Sequence, residues 1–397
     1  MNQGALSHLR VLDLSRVLAG PWASQLLGDL GAEVIKVERP GSGDDTRAWG
    51  PPWFEAGGRR EAAYYLATNR NKQSVAIDIT RPDGQELVRQ LAREADVVIE
   101  NYKVGGLAKY GLDYGSLRAE NPRLVYCSIT GFGQDGPYAE RPGYDFLLQA
   151  MGGLMSLTGE PDGPPQKVGV ALTDILTGLY ATVGILAALA HRERSGEGQH
   201  IDLALLDVQV ACLANQAMNY LVSGRAPTRM GNAHPNIVPY QAFPTADGDM
   251  VLTIGNDRQW AAFCELAGRP EWATDPRFAT NAARVENRRE LIPLLRQTTV
   301  ARSTDDWVAA LESAGVPGGP INDLARVFAD PQIVHRGLRT EVDSIPQVAN
   351  PLRLSATPPV YRNAPPAVGE HTDAVLARLP GMGAARIAAL RREGTIG

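Results

Sequence analysis

The chain has 397 residues, of which 44% are hydrophobic and 21% are charged, and it carries a net charge of -5. This length and composition are typical of a soluble globular protein with room for two domains. The acidic balance argues against recruitment of nucleic acid or of an anionic membrane by overall charge, although a local basic patch for a phosphorylated ligand is compatible with it.

The cysteines and the N-terminal residues bear on the cellular compartment in which we expect the protein. Cys127, Cys212 and Cys264 are widely spaced and form no CxxC pair, so we expect reduced core thiols rather than disulfides or metal ligands. The first residues, MNQGALSHLRVLDLSR, contain neither a signal-peptide core nor an Arg/Ser-rich transit pattern. We therefore expect a cytoplasmic protein.

In the first half of the chain, short β-rich segments alternate with helical patterns. The predicted elements, in chain order, are the strand RVLDLS, the helix PWASQLLGDLGA, the strand EVIKVE, the strand SVAIDI, the helix PDGQELVRQLAREA, the strands DVVIE, LVYCSIT and HIDLAL, and a long helix around DVQVACLANQAMNYLV. Alternation of this kind predicts an α/β fold with a parallel sheet covered on both faces.

The composition of the sequence changes near residue 225. A Gly/Pro/Asn-rich linker leads into a strand in TADGDMVLTI and into helices at 257–267, 286–298 and 304–314, the last with N-cap residues in STDDW. A second break, AGVPGGPIND, precedes a strand in RTEVDSI and a short helix in TDAVLARL. We predict a large α/β domain over 1–225, a small domain over 226–325, and a segment 326–397 that returns to the large domain.

Several common chemistries lack their signatures. No GxGxxG follows the first strand, so a dinucleotide enzyme is disfavoured, and neither GxxxxGK[ST] nor GxSxG occurs. The six histidines form no HxxxH or HxH pair, which argues against a metal site. These absences direct attention to carboxylates.

Asp174 is the single acid in the apolar run 168–190. An ionised carboxylate away from water is costly unless it is paired or used. Three interpretations compete: a membrane span, which the interrupting Thr and Gly residues disfavour, an N-cap of the following helix, and a functional acid in a dry pocket. The residues alone leave the cap and the functional acid about equally supported.

A succession of motifs resembles one family. Along the chain run RVLDLSRVLAGPWASQLLGDLGAEVIKVERPGSGDDTR, NRNKQSVAIDI, ADVVIENY, GLDY, SITGFGQDGPY, RPGYD, GGLMSLTGE, VGVALTDILTGLYA, GNAHPNIVPYQAF, GVPGGPIND and VGEHTDAVL. In this order they resemble the class III CoA-transferases of the CaiB/BaiF type. The resemblance implies a Rossmann-like large domain, a smaller inserted domain, an interlocked homodimer, and coenzyme A or acyl-CoA as substrate without metal or redox cofactor.

The resemblance also implies a covalent mechanism centred on Asp174. The carboxylate would attack the donor thioester, giving a mixed anhydride and CoA thiolate, which then forms an aspartyl-CoA thioester for the acceptor acid to attack. It further implies CoA-binding roles for residues along the chain, namely Leu18, Ala19, Arg39, Ile77, Asp78, Ile79, Thr80, Asn101, Tyr102, Lys109, Tyr144 and Asp145.

Departures from the family pattern bear on the substrate. Related racemases carry a histidine where this chain has Tyr144, which favours transfer over racemisation, and the glycine loop of the oxalate-using enzymes is replaced by GNAHPNIVPYQAF. The latter stretch resembles the succinyl-CoA:glutarate transferases, so we expect CoA transfer from succinyl-CoA to a dicarboxylate such as glutarate. Arg16, Arg47 and His234 are candidate cations for the distal carboxylate. The alternatives are an acyl-CoA racemase, a carnitine-type or other-acid CoA-transferase, and a non-catalytic CoA-binding protein.

Overall fold

A computed structural model describes residues 4–56 and 58–397. The chain divides into two compact units. The first comprises Met1–Leu154, Val168–Ala217 and Gln332–Gly397, and the second comprises Met155–Lys167 and Met218–Pro331.

A six-stranded parallel sheet organises the part of the first unit that the structure describes. Its strands are β1 (Arg10–Asp13), β2 (Glu33–Glu38), β3 (Lys72–Ala76), β4 (Val97–Glu100), β5 (Val125–Thr130) and β6 (His200–Ala204). The spatial order is β3-β2-β1-β4-β5-β6, and every neighbouring pair is parallel. This is the order of the Rossmann fold, which confirms the predicted α/β class.

Alternating side chains on the strands supply two cores. In β1, Val11 packs on one face of the sheet and Leu12 on the other, and both are buried. Such burial on both faces explains why these strands read as continuous apolar runs rather than alternating ones. The main helices of this unit are α1 (Ala19–Asp29), α2 (Pro82–Arg93), α3 (Tyr114–Glu120), α4 (Asp145–Met151), α5 (Leu172–Ser195) and α6 (Leu205–Ala211). A further helix, α7 (Ala214–Ser223), begins in this unit and continues into residues assigned to the second.

The long apolar helix α5 belongs to a core. By length and composition it could cross a bilayer, with a mean hydropathy of 1.7. Its side chains Ala181, Ile185 and Ala188 are buried in the core that α1 also enters. Packing against the sheet therefore accounts for the apolar run without a membrane.

The predicted helix around 207–222 is interrupted. α6 ends at Ala211 and α7 starts at Ala214, whose φ of 43° lies in the left-handed region. No glycine or proline marks that break in the sequence. One-turn helices at Ala63–Leu66 and Leu154–Leu157 and a hairpin, Trp53–Ala56 with Arg59–Ala62, lie in segments where sequence patterns predict no regular element.

The C-terminal segment packs on the sheet of the first unit. A hairpin joins Arg339–Val342 to Ile345–Val348, and helices follow at Thr372–Leu376 and Ala384–Arg392, the second of which was not predicted from the sequence. Leu376 and Leu390 are buried in the same core as α2. The Asp78 N–H donates to the Thr395 carbonyl at 2.8 Å, beside the carboxyl end of β3.

The second unit has its own sheet and core. Strands Tyr240–Pro244, Asp249–Thr253 and Gly318–Pro320 pair antiparallel, with Trp260, Phe263 and Trp307 buried against them. Its helices are Asp257–Leu266, Asn281–Glu286, Arg288–Thr299, Thr304–Ser313 and Leu324–Ala329, and a turn of helix, Pro331–His335, spans the boundary. Ser303 caps the fourth of these by accepting the Asp306 N–H, as predicted.

The second unit comprises Met155–Lys167 and Met218–Pro331, whereas the sequence prediction placed a small domain over 226–325. Arg229 donates to the carbonyls of Glu160 and Gly163, and the Gly231 N–H donates to the Gly159 carbonyl. These contacts join segments that are distant in the sequence, so local sequence patterns do not predict them.

Candidate active site

A cavity of about 720 Å³ opens at the carboxyl edge of the large sheet. Segments that follow β1 to β5 line it, including 16–19, 77–80 and 101–104. The order of the strands reverses between β1 and β4, and ligands of open α/β sheets bind at the carboxyl ends beside that point. The topology itself therefore selects this crevice as the binding site.

Asp174 lines the same cavity from the first turn of α5. Its carboxylate is half-buried, and no described residue of the first unit donates a hydrogen bond to it or forms an ion pair with it. Burial, and secondarily the negative charge of Asp145, raise its pKa from 3.8 to about 7. The carboxylate thus has a raised pKa and lines the cavity, which makes it a candidate functional residue.

The capping alternative for Asp174 is wrong, and Asp145 shows why. α5 begins at Leu172, two residues before Asp174, and its N-cap residue Ala171 offers no side-chain cap. The Asp145 carboxylate accepts the Thr173 N–H at 2.8 Å instead and lies 3.4 Å from the Asp174 nitrogen. A residue on α4 therefore caps the helix and leaves the carboxylate of Asp174 to face the cavity.

Most of the predicted CoA-binding positions come together at the cavity. Its lining includes Leu18, Ala19, Arg39, Ile77, Asp78, Ile79, Thr80, Asn101, Tyr102, Lys109 and Tyr144. Asp145 is absent from the lining and acts on the start of α5 as described above. Asn101 also makes contacts within the protein, because its side chain accepts the Arg16 N–H at 2.9 Å and donates to the Arg16 carbonyl at 2.7 Å.

The three cations predicted to bind a distal carboxylate differ in their availability. Arg16 lines the cavity and pairs with Asp45 at 3.1 Å, where both side chains are about half exposed, so a substrate carboxylate can compete for it. Arg47 is buried between Glu38 and Glu61 and stacks on Tyr65, which leaves it unavailable to substrate.

His234 belongs to the second unit and is an unsuitable cation. Its ring packs against Tyr240, with 5.1 Å between centroids, and its Nδ1 accepts the Asn236 N–H. Burial and the positive charge of Arg288 lower its pKa below 6.5, so the imidazole is neutral near pH 7.

The lining also holds basic residues that were not predicted from the sequence. Lys103 and Arg141 join Arg39 and Lys109 there, and all four are exposed side chains. Lys103 directly follows the Asn101-Tyr102 pair and Arg141 opens the RPGYD motif, so the motifs that contain their neighbours are the signal that could have found them. Four cations at the rim suit a ligand that carries several phosphates.

Tyr64 is a further residue that only the structure reveals. Burial raises its pKa, and the nearby charges of Asp174 and Asp145 raise it further, which places the phenol within electrostatic reach of the nucleophile. Trp49 packs edge-on against it, with 5.1 Å between ring centroids. The tyrosine lies in a one-turn helix with no pattern that indicates a site.

Comparison with known proteins agrees with this geometry. Residues 6–372 match the profile of CoA-transferase family III. A succinate–glutarate CoA-transferase of Agrobacterium fabrum is 56% identical over 381 residues, covering 94% of this chain and 95% of that protein. A succinyl-CoA:glutarate CoA-transferase of Homo sapiens is 46% identical over 378 residues, covering 94% and 85%. The crystal structure of a CAIB/BAIF family protein from Brucella suis superposes with a TM-score of 0.87 at 54% identity, over 95% of this chain and all of that one.

Proposed function

This chain belongs to CoA-transferase family III and is an enzyme of that class, and from that premise we propose that it transfers CoA from succinyl-CoA to glutarate, or to a closely related dicarboxylate, through Asp174. The observation that carries the catalytic part is a carboxylate with a raised pKa in the wall of the cavity at the switch point of the sheet. The substrate part rests on the relatives, whose names specify succinate and glutarate.

In the proposed reaction, the ionised carboxylate of Asp174 attacks the thioester carbonyl of the donor, and the C–S bond breaks to release CoA thiolate. The thiolate then attacks the aspartyl carbonyl of the mixed anhydride, which expels succinate and leaves an aspartyl-CoA thioester. The acceptor carboxylate attacks that thioester, forming a second anhydride, and the released thiolate takes up its acyl group. Asp174 returns to its starting state, so no external reductant or oxidant is consumed.

The surroundings of Asp174 suit these intermediates. Anhydrides and thioesters hydrolyse when water reaches them, and the start of α5 is packed against α1 through Gly178 and Ala19. The rim cations Arg39, Lys103 and Lys109 are available to hold phosphates while the thioester extends inward. Remote binding of this kind positions the reacting carbonyl beside the carboxylate.

Racemisation is the second candidate and has less support. It needs a second base beside Asp174, and none of the described residues that line the cavity is a histidine. Tyr144 occupies the position where the resemblance expects that base, and it is 65% exposed. This chain therefore has a tyrosine at the position where the resemblance associates a histidine with racemases.

The proposal includes the homodimer that the resemblance implies. Its support is the apolar surface of α4 and α5, where Phe146 is 57% exposed and Val183 is 64% exposed. Exposed large apolar side chains on adjacent helices are typical of a face that another chain covers. The cytoplasmic location stays a prediction.

Mass spectrometry tests the mechanism directly. After incubation with succinyl-CoA, the peptide that contains Asp174 should carry the mass of CoA less water, and Asp174→Ala should carry no adduct and transfer no CoA. Glu160→Ala is a matched control, because this acid belongs to the second unit and does not line the cavity. Full transfer activity in Asp174→Ala contradicts the mechanism. A panel of acceptor acids, with glutarate expected to react fastest, tests the substrate separately.

A further inference from the structure

The loop between β1 and α1, residues 14–18, is backbone under strain beside the reaction site. Val17 has a φ of 73°, in the left-handed region, although it is a β-branched residue. A β-branched residue rarely adopts this conformation and persists in it only where the surrounding structure holds it. Val17 and Leu18 both line the cavity that contains Asp174.

A buried ion pair holds this residue in place. The Val17 N–H donates to both carboxylate oxygens of Asp44, at 3.3 Å each. Asp44 pairs with Lys36 at 3.0 Å, and neither side chain is exposed to solvent. The Lys36 ammonium also donates to the Ser15 carbonyl at 2.8 Å. The ion pair therefore hydrogen-bonds to the backbone of the loop on both sides of Arg16, at Ser15 and at Val17.

The carboxylate of Asp44 is well suited to this task. Burial alone would raise its pKa, but the Lys36 charge and hydrogen bonds from Thr46 outweigh it and lower the pKa to about 2. Asp44 is therefore ionised throughout the working pH range. Its Oδ1 also accepts the Thr46 N–H and hydroxyl, and its Oδ2 pairs with Lys36, so both oxygens that receive the Val17 N–H are held in place by other partners.

Direct packing of α1 on α5 connects the loop with the turn of helix that follows Asp174. α1 begins at Ala19, immediately after the loop, and the Ala19 carbonyl packs so closely on Gly178 that a Cβ there would lie 2.7 Å from it. Gly178 is one turn beyond Asp174 on α5. A relaxation of Val17 would thus shift the start of α1 against the turn that carries the reacting carboxylate.

We propose that the Lys36–Asp44 pair is a positioning device of the transfer reaction, which holds Val17 in its left-handed conformation so that the start of α1 keeps the cavity wall in register with Asp174. This rests on the proposed function. Net stability is a weak explanation for the pair, because burying two charges costs about as much as their attraction returns. Its directed contacts with the strained loop give it a specific role.

The test compares two matched substitutions. In Asp44→Asn, the amide nitrogen replaces Oδ2 and faces two donors, Lys36 and the Val17 N–H. Asp29→Asn is the control, because Asp29 forms a buried ion pair with Arg70 at 2.6 Å in the same unit but does not line the cavity. We expect Asp44→Asn to lower kcat about 10-fold with KM for succinyl-CoA changed less than about 3-fold, and Asp29→Asn to keep kcat within about 2-fold at a similar loss of Tm.

Rescue distinguishes positioning from folding. Adding Val17→Gly to Asp44→Asn should restore kcat at least about 3-fold, because glycine adopts positive φ without strain and needs no anchor. Equal loss of kcat in both Asn variants, unchanged kcat in Asp44→Asn, or no rescue by glycine would overturn the proposal. A crystal structure of Asp44→Asn provides a readout independent of activity: Val17 should leave the left-handed region. If the native enzyme forms no Asp174 adduct, the proposed function fails. The crystal structure of Asp44→Asn still shows in that case whether the ion pair holds Val17 in the left-handed region.

Discussion

Replacing Asp174 by asparagine should abolish CoA transfer and make the folded protein more stable above neutral pH. The carboxylate faces the cavity with no hydrogen-bond donor or cation among the described residues of its own unit, and its pKa is raised from 3.8 to about 7. Its ionised form is therefore less favourable in the folded protein than in the unfolded chain. Asparagine has nearly the same shape and no charge, so it removes that penalty.

The size and pH dependence of the effect follow from the pKa shift. Between the unfolded pKa of 3.8 and the folded pKa of about 7, the folded protein retains a proton that the unfolded chain has lost, so stability falls as pH rises through this window. At about 1.4 kcal/mol per unit, the full penalty above pH 7 is about 4 kcal/mol, an upper value because water in the open cavity screens the charge. The advantage of Asp174→Asn should grow by about 3 kcal/mol between about pH 5 and about pH 8.5.

Urea unfolding of the native and variant proteins at both pH values measures the free energy of unfolding, and the comparison between variants cancels the other titrating groups. Asp44→Asn provides a control without the pH trend, because its carboxylate has a pKa of about 2 and is ionised at both pH values, so the stability difference from the native protein should be the same at both. A constant difference between Asp174→Asn and the native protein, or a variant that is less stable at the higher pH, would refute the reasoning.

Three further substitutions test separate parts of the site. Asp145→Asn removes the like charge beside Asp174 while its amide oxygen still caps α5, so the acid limb of the kcat/KM pH profile should move to lower pH; an unmoved limb contradicts this. Gly178→Ala should lower the free energy of unfolding by about 1–3 kcal/mol because its Cβ would lie 2.7 Å from a carbonyl of α1. Its control, Gly184→Ala on the same helix with the nearest neighbour at 3.6 Å, should be neutral or stabilising by up to about 1 kcal/mol. Arg39→Ala should raise KM for succinyl-CoA about 10-fold with little change in kcat, and a change confined to kcat would exclude a phosphate-binding role.

The large sheet was predictable because its strands are defined by local apolar runs. EVIKVE is the strand Glu33–Glu38 to the residue, and LVYCSIT differs from Val125–Thr130 by one position. Parallel strands that are buried on both faces can be recognised in a sequence as short runs of β-branched and other apolar residues with a turn on each side. Their order does not follow from composition, because it is decided by which helix packs on which face of the sheet.

The parts of the site that escaped prediction depend on contacts between distant segments. Asp145 caps α5 through Thr173, 28 residues later, and Asn101 holds the backbone of Arg16 across 85 residues. Arg47 was predicted from the sequence as a candidate cation for the distal carboxylate, yet it is buried between two acids. Sequence patterns report the period of a helix or strand, but they do not report which distant carboxylate neutralises a cation.

Four buried carboxylates of the first unit, Asp13, Asp44, Glu100 and Asp174, show how the surroundings decide the direction of a pKa shift. Burial raises the pKa of Asp13 and of Asp44, but the lysines and hydrogen-bond donors beside them outweigh it and lower both values. Glu100 has the same raised pKa as Asp174, about 7, and does not line the cavity; its oxygen instead accepts the Tyr102 N–H. A raised pKa alone therefore does not identify a nucleophile. Asp174 combines a pKa that burial and the charge of Asp145 raise with a place in the lining of the cavity, and this combination is the reason why we propose it as the nucleophile.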